Sequence, residues 1–445
     1  MPREILLNHF DMNTPGHQSC GLWRHPRDRS SNYTTIGYWV DLARTLERGL
    51  FDGIFLADVS GVYDVYGGSP DAALRTAMQV PANDPFALVP AMAAVTEHLC
   101  FGVTGSIAYE HPYTFARRVS SLDHLTKGRF AWNVVTGYLD SAAKAHGRKQ
   151  QTTHDTRYDI ADEYMEVVYK LWEGSWADDA VVRDRESGTF TRPERVRRIE
   201  HHEEYFELSA IHLCEPSPQR TPVVFQAGAS PRGQTFAARH AECVFVGATD
   251  PARLRRTVES LRSRLQECGR QPEGLKIFAL LCLIVDETDD KARVKLEDYQ
   301  QYAQPEGALA LMSGWSGIDL SAYGLDDRVA NIRTEAIQSV MSGHGTVRQY
   351  GEELCIGGAA PVLCGSPRTV ADQLETWQEI SGVDGFNLAY TVMPESLEAI
   401  VDLLVPELQT RGVFKKAYAT GTMREKLFGK GPRLSAPHPG ASFRF

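Results

Sequence analysis

The chain has 445 residues and a formal net charge of -10 at pH 7, from 47 Lys and Arg against 57 Asp and Glu. The acidic balance and the lack of a basic stripe argue against nucleic acid or an anionic membrane surface as a partner. No window approaches the roughly 18 apolar residues that a membrane span needs, and the N-terminus leads directly into a strand pattern, unlike a signal peptide.

Eight short apolar segments have the pattern of β-strands, and each is followed by helical periodicity or a long polar excursion. They are Ile5–Phe10, Gly53–Ala57, Cys100–Thr104, Arg129–Val135, Pro222–Ala227, Cys243–Gly247, Ile277–Val285 and Gly385–Tyr390. Eight such units in succession predict an α/β fold, a single (β/α)₈ or TIM barrel of parallel strands.

One of these units shows the pattern most clearly. Lys127 and Gly128 close a helix with a cation and a glycine, and Phe130–Val135 is an apolar, β-rich run that is too short for a helix. Asn133 and Thr136 then place hydrogen-bonding groups at the carboxyl end of the strand. In a (β/α)₈ barrel that end is where chemistry takes place.

Polar or small residues end several of the predicted strands: Asn8, His9, Asp58, Thr104, Ser106, Asn133, Thr136, Gln226, Gly228 and Asn387. Each residue alone has an ordinary explanation, since an Asp or Thr after a strand is often a helix cap or a turn former. All strand ends of a parallel barrel meet at one rim, however, so the whole set predicts a functional site there.

The chain exceeds the roughly 250 residues of a minimal barrel, which favours one domain with large loop insertions over two or three separate domains. Insertions near 59–84, 137–153, 174–221 and 304–366 interrupt the strand and helix pattern, and a C-terminal extension starts at about residue 413. Long loops at the catalytic rim commonly form lids and pockets, although crossovers between protomers are the alternative.

Hydrolase, zincin, P-loop and Rossmann motifs are all missing from the sequence. The pair His201 and His202, followed by Glu203, suggests a metal ion at first sight. Adjacent histidines within the charged segment 195–204 are more typical of a solvated face, so we expect no metal site.

An anion site is better supported. Ser230 precedes Pro231, which predicts a helix with Ser230 as its N-cap, and the N–H groups of such a helix start suit a phosphate. His154 and Tyr158 have the i, i+4 spacing of one helical face and offer further donors. A plain capped helix with a packed aromatic residue is the other interpretation of these segments.

Several longer motifs carry a family resemblance: Gly21–Pro26, Phe51–Asp58, Leu122–Arg129, Trp132–Thr136, His154–Tyr158 and Gln226–Gly233. In these motifs the chain resembles the flavin-dependent monooxygenases of the bacterial-luciferase-like superfamily, from about residue 4 to residue 431. The branch is that of the nitrilotriacetate, dibenzothiophene sulfone, dimethyl sulfide and long-chain alkane monooxygenases.

The resemblance implies reduced FMN (FMNH2) as cofactor and O2 as co-substrate, reacting through a C4a-(hydro)peroxyflavin. The cofactor-binding residues that it implies are Asp58, Thr104, Asn133 and Thr136 around the ring and His154, Tyr158, Ala229 and Ser230 at the phosphate. Because no nicotinamide fingerprint is present, we expect a separate NAD(P)H:FMN reductase, and we expect a homo-oligomer, either dimer or tetramer. A flavin- or deazaflavin-binding barrel that acts as a reductase or as a non-oxygenating carrier is the alternative.

Eight cysteines are scattered without a Cys-x-x-Cys pair, which predicts reduced thiols and a cytoplasmic protein. Cys100, Cys243 and Cys282 fall within predicted strands as small hydrophobic residues.

The candidate catalytic residues on the substrate side are His17, Tyr63, Gln79 and Tyr138. His17 or Tyr138 would protonate or hydrogen-bond the oxygenated flavin, and the other two would orient the substrate. A structural role in holding an insertion is the alternative for each of them. The pattern departs from that of the alkane enzyme at Thr14, at Tyr138 and in 307–316, so alkane hydroxylation does not carry over, and alkanes, organosulfur compounds and aminopolycarboxylates all stay open.

Overall fold

Parallel strands form a closed barrel in the computed structural model, which describes residues 3–228, 230–329, 332 and 345–445. The strands in chain order are β1 (Leu6–Met12), β2 (Gly53–Ala57), β3 (Cys100–Ser106), β4 (Phe130–Val135), β5 (Val181–Asp184), β6 (Thr189–Thr191), β7 (Ile199–His202), β8 (Glu207–Ala210), β9 (Val223–Gln226), β10 (Cys243–Val246), β11 (Lys276–Val285), β12 (Val362–Gly365) and β13 (Gly385–Ala389). The eight segments predicted as strands are the eight strands of the barrel, so the predicted fold is confirmed.

The barrel runs in the order β1-β2-β3-β4-β9-β10-β11-β13 and returns from β13 to β1. All of these pairings are parallel, including the β10–β11 pair that closes the circle. The strand β12, which was not predicted, pairs with the far end of β11 outside the circle. Every barrel strand therefore ends at the same rim.

Helices surround the barrel and follow most of its strands. They are α1 (Ile36–Arg48), α2 (Asp71–Thr76), α3 (Val89–Ala93), α4 (Pro112–Leu125), α5 (Asp140–Ala145), α6 (His154–Tyr169), α7 (Pro231–His240), α8 (Pro251–Glu267), α9 (Asp289–Gln300), α10 (Pro305–Ser316), α11 (Val347–Leu354), α12 (Pro367–Ser381), α13 (Glu395–Ala399), α14 (Val405–Arg411) and α15 (Met423–Phe428). Within the described ranges, none of these helices is long and apolar enough to cross a membrane.

Local sequence explains where several helices begin and end. Ser230, Asp250 and Ser366 each accept a backbone N–H of the first helical turn, and a proline follows each of them. After α4, Lys127 and Gly128 adopt the left-handed conformation, as the helix stop in the sequence predicts. A short helix, α5, lies within the predicted insertion 137–153, between β4 and α6.

The inside of the barrel is filled by aromatic rings. Phe55, Phe225, Phe245 and Phe278 form one buried cluster, which Met423 and Leu427 of α15 also join. A Cβ at Gly102 would lie 2.4 Å from Cε2 of Phe225, so glycine leaves the space that this inward ring needs. The C-terminal helix thus takes part in the core of the barrel.

The long insertions contain ordered structure of their own. Strands β5 to β8 make two antiparallel hairpins within 174–221, and α10, α11 and β12 lie within 304–366. Tyr63, Met78, Leu139, Leu309 and Tyr350 belong to a second apolar cluster that draws on three of the insertions. The insertions therefore pack on one another as well as on the barrel.

A buried ion pair attaches α15 to the barrel. Arg424 donates from Nε and Nη2 to the two oxygens of Glu242, at 2.7 and 2.8 Å, and both side chains are almost fully buried. Glu242 also accepts the backbone N–H of Val224 in β9. The pair therefore connects the C-terminal extension to two neighbouring strands.

We predict that Arg424→Leu lowers the free energy of unfolding by about 3 to 5 kcal/mol, because it leaves the Glu242 carboxylate buried without its partner. Urea titration followed by circular dichroism measures this change. Arg44→Leu is the matched control, since Arg44 pairs with Asp41 at 3.6 Å in an exposed position. Equal effects of the two substitutions would contradict a structural role for the buried pair.

Candidate active site

A cavity of about 570 Å³ opens at the carboxyl ends of the barrel strands. The predicted site residues that line it are His17, Asp58, Tyr63, Gln79, Thr104, Asn133, Thr136, Tyr138, His154, Tyr158 and Ser230. Ala229 lies outside the described residues. Side chains from the ends of five barrel strands and the segments that follow them, including two of the insertions, thus meet around one space.

The base of the cavity is a stack of aromatic rings that the sequence analysis did not identify. Phe55 stacks on Phe245 with ring centroids 4.4 Å apart and planes 6° apart, and Phe10 stacks on Phe55 at 5.0 Å. All three line the cavity. Inward-facing residues of an apolar strand carry no sign of their own that a ligand lies above them, yet together they offer a flat apolar surface.

Strand ends supply a pair of polar side chains above this base. The Nδ2 group of Asn133 donates to Oγ1 of Thr104 at 3.0 Å. Its Oδ1 atom is buried and has no hydrogen-bond partner among the described residues. An unpaired buried acceptor is costly, so Asn133 suits a ligand that brings an N–H group.

Asp58 is the carboxylate of this cavity. Its Oδ1 accepts the backbone N–H of Val59 at 2.9 Å. Burial disfavours the charged form and raises the pKa of Asp58 to about 6. The carboxyl group is therefore protonated in mildly acidic solution and negative above that range.

One end of the cavity is built for an anion. The Ser230 hydroxyl accepts the N–H of Gly233 at 3.0 Å, and its oxygen lies 3.2 Å from Nε2 of His154. A Cβ on Gly228 or on Gly233 would come within 2.7 Å of the Tyr158 hydroxyl, so two glycines leave this hydroxyl room beside the helix start. The N-cap prediction for Ser230 is confirmed.

Arg157 adds positive charge to the wall beside Tyr158. It lines the cavity and donates from Nη1 to the carbonyl of Thr152 at 2.9 Å, while its Nε has no partner among the described residues. Burial lowers the pKa of its guanidinium, which stays charged at neutral pH. Arg157 belongs to the motif His154–Tyr158, which carries part of the family resemblance. The sequence therefore indicates this segment, although it predicts no role for Arg157 itself.

The opposite end is built from a chain of hydrogen bonds. Gln79 donates from Nε2 to the carbonyl of His17 at 3.1 Å, which turns its Oε1 towards the hydroxyl of Tyr63 at 2.9 Å. The Tyr63 hydroxyl lies 2.7 Å from that of Tyr138 and 3.3 Å from Nε1 of Trp315. Gln79 holds this position with a left-handed backbone (φ 54°), a strain typical of functional sites.

His17 lies beside this chain with its ring edge-on to Phe10, at 4.4 Å between centroids. Burial lowers the pKa of His17 to about 4, so its imidazole is neutral at physiological pH. Its Nδ1 has no partner among the described residues. The neutral imidazole can hydrogen-bond a ligand but does not carry the extra proton of an imidazolium acid.

Three residues singled out from the sequence lie elsewhere. His9 is buried and pairs with Asp11, with 3.1 Å between Nε2 and Oδ2, and Asn8 donates to Asn387 at 3.2 Å. Thr14 is also buried but is not among the residues lining the cavity. Side chains alternate along β1, so neighbouring residues of the strand face different surroundings.

The expectation of a solvated face at 195–204 is wrong for His201, which is buried, and right for the exposed His202. The atoms of Glu163, His201 and Glu203 that could bind a metal lie within 4.8 Å of one another. Glu163 accepts from His201 at 3.1 Å and from the N–H of Phe206 at 2.7 Å, and Nδ1 of His201 lies 3.0 Å from Nζ of Lys170. These contacts attach the β7–β8 hairpin to α6.

Comparison with known proteins gives a consistent result over nearly the whole chain. Residues 10–384 match the family model described as luciferase-like monooxygenase. The chain is 50% identical to the dimethyl-sulfide monooxygenase of Hyphomicrobium sulfonivorans over 453 residues, covering 100% of this chain and 94% of that protein. It is also 50% identical to the long-chain alkane monooxygenase of Geobacillus thermodenitrificans (strain NG80-2) over 445 residues, covering 100% and 99%. The crystal structure of DmoA from Hyphomicrobium sulfonivorans has a TM-score of 0.96, over 99% of this chain and 96% of that one.

We predict that Asp58 lowers the free energy of unfolding in a pH-dependent way. In the ligand-free protein its pKa is about 6 against an unperturbed 3.8, so the folded state holds the proton more tightly than the unfolded state does. Its contribution to stability is therefore greatest below the unfolded pKa and falls as the pH rises to about 6. Relative to wild type, Asp58→Asn should gain stability between about pH 4 and pH 7 and show no further gain above.

Urea titrations of both proteins across this pH range measure the difference in the free energy of unfolding. Asp41→Asn, at an exposed position, is the control for general effects of charge removal. A difference between Asp58→Asn and wild type that does not vary with pH would show that Asp58 is not perturbed in this way.

Proposed function

The chain belongs to the luciferase-like monooxygenase family, and on that premise we propose that it is the oxygenating component of a two-component enzyme. It would use reduced FMN and O2 to place one oxygen atom in a small organic substrate. The observation that carries this proposal is a single cavity with an anion-binding end, a flat aromatic base and a neutral hydrogen-bonded end. The names of the relatives support a dialkyl sulfide or an alkane as the type of substrate.

The anion end of the cavity suits the phosphate of FMN, and the aromatic base suits its ring. His154, Tyr158 and Ser230 would hold the monophosphate at the start of α7. The rings of Phe10, Phe55 and Phe245 would provide an apolar surface for the isoalloxazine, and the unpaired Oδ1 of Asn133 would accept one of its N–H groups. The remaining proposed contacts to the ring come from Asp58, Thr104 and Thr136.

Bound reduced FMN supplies two electrons to O2, so that one oxygen atom enters the substrate and the other leaves as water. The protein contributes enclosure and orientation. The insertions that carry Tyr63, Gln79 and Tyr138 supply side chains to the cavity at the barrel rim and would limit the access of water to the reacting centre. His17 and Tyr138 stand at the end of the cavity away from the anion site, where they would act on the reacting oxygen and not on the cofactor.

The reducing equivalents would come from a separate NAD(P)H:FMN reductase, because the sequence has no fingerprint for a nicotinamide nucleotide. FMN, once reduced, would then pass to this chain by diffusion. A homo-oligomer, dimer or tetramer, also stays a prediction.

We predict that FMN binds in preference to FAD and that Tyr158→Phe and Ser230→Ala each weaken reduced FMN binding roughly ten- to a hundredfold, as expected for one lost hydrogen bond to a charged group. Anaerobic fluorescence titration measures these affinities. Ser366→Ala, which removes an equivalent N-cap from α12, is the matched control for helix stability. Unchanged affinity in both site variants, or equal affinity for FAD, would place the anion site elsewhere.

We also predict that ¹⁸O from ¹⁸O₂ appears in the product when the chain is supplied with a flavin reductase and a substrate. His17→Ala and Tyr138→Phe should keep flavin affinity within about threefold but divert at least tenfold more of the reducing equivalents to hydrogen peroxide. Tyr323→Phe, outside the cavity, is the control. Unlabelled product from wild type would contradict the proposed function, and parallel loss of flavin binding in both variants would contradict the division of roles.

A further inference from the structure

The neutral end of the cavity is here called the substrate chamber. Its walls are Tyr63, Tyr138, Leu139, Ala142 and Trp315. Tyr63 belongs to the insertion 59–84, and Tyr138, Leu139 and Ala142 belong to 137–153. Trp315 lies in α10, within the insertion 304–366. Two of the five side chains are apolar and three are aromatic with one polar atom each, so the chamber can bury apolar surface of a ligand.

The O–H and N–H donors of the aromatic chamber walls are already used in hydrogen bonds within the protein. Gln79 presents an oxygen to Tyr63, so the hydroxyl proton of Tyr63 goes to Gln79. The Tyr63 oxygen then accepts from both Tyr138 and Trp315. Each of these three aromatic side chains has one donor, and each donor is used inside the chain of hydrogen bonds. In this arrangement only the Tyr138 oxygen keeps an acceptor position for a ligand, and Tyr138 would donate to a reacting oxygen only by releasing Tyr63.

None of the five chamber walls carries a charged side chain. Among the described residues lining the cavity, Arg157 is the one Lys or Arg side chain, and it precedes Tyr158 at the anion end. Asp58 is the nearest carboxylate of the cavity rim, and because burial raises its pKa to about 6, it is negative at neutral pH. A carboxylate or sulfonate group on the substrate would be left without a partner and would face a like charge.

Trp315 is held firmly as the outer wall. A Cβ on Gly314 would lie 2.1 Å from Cδ1 of Tyr63, so the glycine lets the Tyr63 ring pack directly against α10. Arg75 of α2 pairs with Glu306 in the first turn of α10 at 3.1 Å. The indole of Trp315 lies beside the Tyr63 hydroxyl on this wall, where it would limit how far a ligand can extend from the chamber.

We propose that the substrate is a small, uncharged, largely apolar molecule, of the thioether or hydrocarbon class, and that Trp315 is the residue that sets its length. This inference rests on the proposed function for the identity of the reaction, but the chamber itself is built from side chains of this protein alone. It separates the substrate classes that the sequence left open, because aminopolycarboxylates and other anions do not fit.

The test is a matched pair of ligands, methyl pentyl sulfide and 5-(methylthio)pentanoate, which differ by a terminal methyl group against a carboxylate. Calorimetric titration of the full chain, with and without saturating FMN, measures both affinities at pH 8. We expect the neutral sulfide to bind at least a hundredfold more tightly. Affinities within threefold of each other, or no measurable binding of either ligand, would overturn the proposal.

Trp315→Ala should improve the binding of decyl methyl sulfide relative to methyl pentyl sulfide at least tenfold, since it removes the outer wall. Trp315→Phe should give a smaller change in the same direction and provides a milder test if the first variant is unstable. Trp23→Ala, at a tryptophan that does not line the cavity, is the matched control. An unchanged length preference in both Trp315 variants would overturn the role of Trp315.

These measurements are independent of oxygenation. Selective binding of the neutral sulfide without labelled product would support the chamber and contradict the proposed monooxygenase activity. Labelled product from the anionic ligand would support the proposed monooxygenase activity and contradict the preference of the chamber for neutral ligands.

Discussion

The parallel pairing of β10 with β11 is the constraint on which the rest of this structure depends. Residues Cys243–Val246 pair in register with 276–279 and close the circle of eight strands. A closed sheet leaves no edge, and parallel strands then all release their chains at the same rim. Residues as distant in the chain as Asp58, Asn133 and Gln226 line one cavity for this reason.

Along that cavity the chemistry changes from charged to neutral. Arg157, His154 and the start of α7 supply the charged and anion-binding groups, and the hydrogen-bonded hydroxyls of Tyr63 and Tyr138 supply the neutral ones. Under the proposed function, the first set would hold the cofactor phosphate and the second would face the substrate. A cofactor phosphate and an apolar substrate can then share one space without sharing contacts.

The insertions make the second end possible. A barrel rim alone has no roof, and here the segments around Tyr63, Leu139 and Leu309 form an apolar cluster of their own above it. Because the side chains of this cluster pack mainly on one another, substitutions among them can occur without disturbing the barrel. This separation gives a physical reason why close relatives of one fold act on different compounds.

Properties that depend on neighbouring residues were available from the sequence. The period of the apolar residues identified the eight barrel strands, the Ser-Pro pair predicted the cap at Ser230, and the spacing of His154 and Tyr158 placed both on one helical face. The family motifs likewise indicated His17 and Gln79, which line the cavity. Each of these signals is local, and local periodicity survives without knowledge of the fold.

Contacts between distant segments were decided by the tertiary structure alone. Trp315 reaches Tyr63 across 252 positions of the chain, and nothing in its own neighbourhood marks it as a wall of the cavity. Phe55 and Phe245 become a stacked base only when their strands face each other across the barrel, and His201 is buried only because a hairpin folds onto α6. The direction of the Tyr138 hydroxyl follows from Gln79 and the carbonyl of His17. Orientation and partnership are properties of the packed chain, since a hydrogen bond is assigned by both of its ends.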